Sequence, residues 1–226
     1  MNIILKSDFH DIYDHWFDRT GDLFFYRYMV DGMERRYMFR MFDELNIKSP
    51  EHGIVSELYK KHHHKIGRTH TPKITRFFLP ADFLQFVVYL DEKVHAGSGK
   101  ILVSADYAIK SFPDKYASVY TPSSSTSFRY LKIGKKSFWV KYQSDDAWRS
   151  NMGDVAIDII EARNDGYHPS IPHALWAIDF IQTGKEMLAI DFNISPGMPD
   201  GIEDIMKPEE IARQIKTAVY YLNKMM

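Results

Sequence analysis

The chain has 226 residues, 45% hydrophobic and 15% aromatic, enough for one domain or two small lobes with a real core. Its formal net charge of -1 gives no bulk attraction to nucleic acid or membrane, and the absence of cysteine excludes disulfides, thiolate catalysis and cysteine-held zinc. Met1 to Trp16, carrying Asp8, Asp11 and Asp14, lacks the basic start and apolar run of a signal peptide. No stretch reaches the roughly 20 apolar residues that span a bilayer. The expectation is a cytoplasmic protein without a membrane or strong nucleic-acid partner.

In chain order, Phe24 to Leu45 reads as helical, with Phe24, Tyr28, Met38, Met41, Phe42 and Leu45 as candidate buried positions and Gly32 as a break. Lys48-Ser49-Pro50 ends that region, and Ile54 to Tyr59 is a further helical turn. Lys60 to Lys73 is polar and reads as a solvated loop. Its His62, His63, His64 and His70 raise the alternative of a metal site, but adjacent side chains diverge on a helix or a strand and suit one ion poorly.

From Phe83 the pattern turns to strands: Phe86 to Leu90, Lys100 to Val103, then Ser118 to Tyr120. Between the first two lies His95-Ala96-Gly97-Ser98-Gly99-Lys100. This is no Walker loop, because Val94 stands where a glycine is required and Ile101 where Ser or Thr is required. A glycine-rich tip still lets backbone N–H groups approach phosphate oxygens, and a plain turn is the alternative. Thr121-Pro122-Ser123-Ser124-Ser125 is the candidate hinge, dividing a region 1–120 from a region 121–226.

Ser127 to Tyr142 reads as a hairpin, Phe-Arg on one arm and Lys141 on the other. A three-residue loop sets Arg129 opposite Lys141, where an anion between them would relieve the repulsion; a two-residue loop breaks that pairing. Trp148-Arg149-Ser150-Asn151 follows. A second hairpin runs from Trp176 to Asn193 around Gly184-Lys185. Alternation sets Ile178 and Phe180 against Asp179, and Ile190 and Phe192 against Asp191 and Asn193. With a three-residue loop Asp179 lies across from Asp191. Two carboxylates that close repel unless neutralised, and their oxygens with that of Asn193 suit Mg²⁺; an ordinary exposed polar face is the alternative. Ser195-Pro196-Gly197-Met198-Pro199 makes a rigid turn. The last helix has Pro208, Glu209 and Glu210 in its first turn, Ile211, Ile215, Ala218, Val219 and Leu222 on its apolar side, and Lys224 at its end. Hairpins mixed with helices, without regular alternation, predict an α+β fold.

An Asp on one strand, then acid-x-Asn and a Pro-Gly turn on the next, resembles the metal signature of the ATP-grasp superfamily, with D-alanine–D-alanine ligases and ribosomal-protein glutamate ligases as examples. The order Phe-Arg, hairpin, Lys, Arg-Ser-Asn resembles the glutamate-ligase branch. The resemblance spans roughly residues 87–222, with Asp191 where Glu is usual. It implies two small α+β lobes enclosing a nucleotide cleft, ATP and Mg as cofactors, and carboxylate–amine ligation through an acyl-phosphate. It implies metal ligands Asp179, Asp191 and Asn193; phosphate contacts from Arg129, Lys141 and the Gly97-Ser98-Gly99 loop, with Lys93 or Lys100 standing in for the strand lysine. Arg149 would be the catalytic charge and Asn151 its support. The substrates implied are a small-molecule or peptide carboxylate and an amine. The reduced N-terminus is similar to that of compact bacteriophage-encoded relatives. An ATP-grasp small-molecule kinase and a non-catalytic nucleotide-binding protein are the other two expectations.

Overall fold

The computed structural model describes residues 34–66, 84–93, 99–122, 126–144, 155–161, 169, 171, 173–194, 196 and 198–225. Their elements are α1 (Arg35–Glu44), β1 (His52–Ile54), α2 (Val55–Ile66), β2 (Gln85–Tyr89), β3 (Lys100–Ser104), α3 (Ala105–Ser111), β4 (Tyr116–Val119), β5 (Thr126–Ile133), β6 (Lys136–Ser144), β7 (Val155–Glu161), β8 (Leu175–Thr183), β9 (Glu186–Ile194), α4 (Ile202–Ile205) and α5 (Pro208–Met225). The fold is α+β with two antiparallel sheets. Described residues up to Pro122 gather into one compact unit and those from Thr126 onward into a second.

The smaller unit is a four-stranded sheet in the order β1-β4-β2-β3. On β2, Phe86 and Val88 are fully buried, packing with Val55 and Leu58 of α2 and with Ala105 and Ala108 of α3. The next residues in alternation, Val87 and Tyr89, belong to the other face, which α1 covers. Phe39 of α1 stacks on His52 at 4.5 Å, and the Arg35 guanidinium lies 5.4 Å above the Tyr89 ring. His52 in turn bonds the Tyr116 hydroxyl at 2.8 Å. Burial lowers the His52 pKa, against the pull of Asp43 3.5 Å away, so the ring serves as a neutral packing and hydrogen-bonding group.

Met38 and Phe42 are buried as expected, with Phe39 added to them, whereas Met41 and Leu45 are only partly buried. Phe24, Tyr28 and Gly32 lie outside the described residues. The polar stretch from Lys60 is not a loop as far as Ile66: α2 continues through it, and Lys61 and His62 both pair with Glu51. A helix offers charged and imidazole side chains a solvated side without breaking its backbone bonds, which composition alone does not reveal. His70 lies outside the described residues.

The larger unit is a five-stranded sheet in the order β7-β6-β5-β8-β9. Leu131, Ile133, Phe138, Val140, Leu175 and Ala177 form one apolar face, against which Met198, Ile202, Met206, Ile211, Ala212 and Ile215 pack. Removing this apolar surface from water stabilises the unit by about 25 cal/mol per Å². The opposite face carries linked rings: Tyr130 lies 4.9 Å from Trp139 and 5.7 Å from Trp176, and Trp176 lies 6.3 Å from Phe192.

Both hairpins of this sheet turn through the same dipeptide. Gly134-Lys135 joins Ile133 to its partner Lys136, and Gly184-Lys185 joins Thr183 to its partner Glu186. The glycines have φ of +57° and +60°, the positive value that a two-residue hairpin turn of type II′ needs at its first central position. The loops of both hairpins therefore have two residues rather than three.

Candidate functional site

In the basic hairpin the two-residue turn moves the partners by one. Arg129 faces Val140, and Lys141 faces Phe128. The expected Arg129–Lys141 pair does not form: Lys141 lies on the other face, opposite Asp158 of β7. A one-residue change in register transfers a side chain across the sheet.

In the acidic hairpin the turn is equally short, yet the expected pairing survives. Phe180 pairs with Ala189, and Asp179 with Asp191, across a β-bulge that leaves Ile190 as the extra residue. The bulge supplies the residue that the turn lacks. It also corrects one alternation: since paired residues share a face, Ala189, not Ile190, lies with Phe192. Both of those are buried, at 0% and 2% exposure.

The strand order then makes a continuous row across the sheet, Val140–Arg129–Asp179–Asp191, on the face that carries the apolar core. Asn193 lies one pair along, opposite Ala177, on that same face. The Arg129 Nε donates to Asp179 Oδ1 at 2.6 Å and its Nη2 to Oδ2 at 2.9 Å. Asn193 Nδ2 donates to the same Oδ2 at 3.2 Å. Asp191 Oδ1 accepts from the Phe192 backbone N–H at 2.9 Å. Tyr142, two residues along from Val140, places its ring 5.5 Å below the Arg129 guanidinium. Burial works against the charge on Arg129, but the Asp179 carboxylate, with smaller help from Tyr142 and Asp191, raises its pKa further above the usual value. Burial also raises the Tyr142 pKa, against the lowering effect of Arg129. The guanidinium thus supplies the neutralising charge that two opposed aspartates require.

Two carboxylates and an amide oxygen in one row are the all-oxygen donor types that magnesium takes, so Asp179, Asp191 and Asn193 fit that ion chemically. In the arrangement observed, however, both Asp179 oxygens are already bonded. Among the described residues no group of three or more His, Asp or Glu side chains is arranged to hold a metal.

The remaining expected residues belong to the smaller unit or lie outside the described residues. Lys93 is exposed just after β2, its backbone N–H bonded to Asp91 Oδ1 at 3.0 Å, and Lys100 begins β3 opposite Tyr89. The Gly99 carbonyl accepts from the N–H groups of Leu90 and Asp91 at 2.8 and 3.2 Å, closing the base of the β2–β3 connection. Gly97, Ser98, Arg149 and Asn151 lie outside the described residues. Tyr142 was missed from the sequence. Applying to Gly134-Lys135 the two-residue turn that a Gly-X pair favours would have placed it diagonal to Arg129.

No family model matches the sequence, and comparison with curated proteins finds no match. Solved structures do match. The D-alanine–D-alanine ligase of Bacillus anthracis superposes with a TM-score of 0.52 at 9% identity, over 86% of this chain and 69% of the ligase. The same enzyme complexed with ATP gives a TM-score of 0.50 at 9% identity, over 88% and 70%. No helix among the described residues is long and apolar enough to cross a membrane. Over most of its length this α+β chain therefore shares the fold of these D-alanine–D-alanine ligase structures.

Proposed function

We propose that the protein is an ATP-dependent carboxylate–amine ligase. The observation that carries this reading is the Arg129–Asp179–Asp191 row with Asn193 beside it, on a sheet of the ATP-grasp fold. A cationic guanidinium set among oxygen donors is the chemistry that binds a nucleotide triphosphate together with its metal.

In this scheme a substrate carboxylate oxygen attacks the γ-phosphorus of ATP. The bond from that phosphorus to the bridging oxygen breaks, releasing ADP and leaving an acyl-phosphate. An amine nitrogen then attacks the acyl carbon, phosphate departs, and the amine loses a proton to solvent. Arg129 neutralises phosphate oxygens, and before a metal binds Asp179 holds the guanidinium through bidentate bonds. Asp191, Asn193 and Asp179 would hold magnesium, which when bound withdraws charge from the phosphate oxygens. Arg149 is assigned to the oxyanion of the second step, with Asn151 supporting it, and the Gly97-Ser98-Gly99 segment with Lys93 or Lys100 to covering the phosphates. Lys141 takes no part beside Arg129, being on the other side of the sheet.

The test is ADP release from ATP across panels of carboxylates and amines. Asp191→Asn is expected to abolish release while circular dichroism stays unchanged, and turnover retained by that variant overturns the reading. A nucleotide-binding protein without turnover is the second reading, favoured by the hold of Arg129 on Asp179. Calorimetry showing ATP binding with no ADP release on any panel would select it.

A further inference from the structure

Both oxygens of Asp179 are engaged in hydrogen bonds, and that is at odds with its expected duty as a metal ligand. Both its oxygens accept from Arg129, and one accepts from Asn193 as well. A carboxylate engaged edge-on by a guanidinium presents its remaining lone pairs poorly, and a cation approaching it also meets the positive charge of Arg129. The ion pair is sheltered too, its side chains 18% and 20% exposed, so solvent screens the mutual repulsion of two cations only in part. Guanidinium and divalent cation are therefore alternative counter-ions for one carboxylate.

We propose that Arg129 and a divalent cation compete for Asp179, so that metal binding releases the guanidinium, which is then free to take an anion such as a phosphate. The proposal rests on the metal-site reading of the acidic row. It deepens that reading by making the order of events explicit: the anion-binding charge is stored on Asp179 and delivered when the metal arrives. Tyr142 gives the guanidinium a second resting contact on its ring face, which persists when the carboxylate bonds are lost. Asn193 has a matching part. Its amide nitrogen serves Asp179 in the Arg129-bound arrangement, and a turn of the amide presents its oxygen instead, which is the atom a metal takes.

The experiment is titration of the full chain with Mn²⁺ alone, without nucleotide, followed by the signal of the free ion. Arg129→Gln is expected to bind one Mn²⁺ at least ten-fold more tightly than the unaltered protein, and Arg129→Gln combined with Asp179→Asn is expected to lose that gain. Equal or weaker binding by Arg129→Gln overturns the proposal. Should that variant fail to fold, the unaltered protein decides. The Arg129 Nε–H resonance, held by its bond to Asp179, is expected to shift and exchange faster with solvent as Mg²⁺ saturates the site. A resonance unmoved at saturation, or no Mg²⁺ binding at all, also overturns it. The ligase reading fails separately: tighter Mn²⁺ binding by Arg129→Gln with no ADP release from the unaltered protein keeps the competition and removes the ligase, and ADP release with unchanged Mn²⁺ affinity does the reverse.

Discussion

The two hairpins of the larger sheet share a turn and diverge in outcome. Each has a Gly-Lys pair at its tip, nearly the same glycine φ, and two arms of eight or nine residues. The basic hairpin keeps a regular ladder, and this sends Lys141 to the face away from Arg129. The acidic hairpin admits one bulge, and this brings Asp191 opposite Asp179. Turn chemistry alone thus does not define which side chains meet. A single irregularity several residues from the turn outweighs it, because each residue of slip exchanges the two faces.

The hairpins also differ in what surrounds their tips, and this can be broken experimentally. A Cβ built on Gly134 would lie 2.5 Å from the Gln214 carbonyl oxygen of α5, whereas one on Gly184 would meet nothing within 4 Å. Gly134→Ala combines left-handed strain with a backbone clash and is expected to cost roughly 3 kcal/mol; Gly184→Ala bears the strain alone, about 1 kcal/mol. Urea denaturation measures both, and equal losses would show that α5 does not seat on the basic tip.

Acid sharpens the contrast from the other side. His173 precedes β8 beside Phe192, and burial pushes its pKa down to about 4. A histidine whose folded pKa is depressed adds nothing to the pH dependence above its ordinary value of about 6.5 and destabilises the fold as pH falls from there toward 4. The expected loss is about 2 kcal/mol at pH 5 relative to pH 8. His173→Phe should flatten that part of the stability–pH curve, and an unchanged slope would assign the acid sensitivity elsewhere. The smallest effect concerns Lys141. Since it faces Asp158 across β6–β7, Lys141→Gln should change stability by less than about 0.5 kcal/mol and leave Mn²⁺ affinity within two-fold. A large change in affinity would place its charge in the field of the acidic row.

Much of the architecture was legible in residue order. The aromatic and β-branched run Phe86 to Leu90 and the alternation in the two hairpins marked strands, the Ile211 and Ile215 spacing marked the inward side of α5, and the acid-x-Asn pattern marked Asp179, Asp191 and Asn193 as neighbours. Less was legible where polarity hides periodicity. The histidine stretch continuing α2 is polar by composition, and the edge strand β7 breaks its apolar run only at Asp158, so neither shows a clear period in the sequence.

Side-chain chemistry within each strand came from the sequence by itself: which residues alternate, where glycine must turn, and which oxygen donors lie two apart. Only the tertiary structure decided which strands became neighbours. β8 lies beside β5 across a long stretch of chain, so Asp179 meets Arg129 from a different hairpin. Charges on separate hairpins come together through strand order, and strand order is set by burial of the shared apolar face, a property of the whole sheet that no single segment contains.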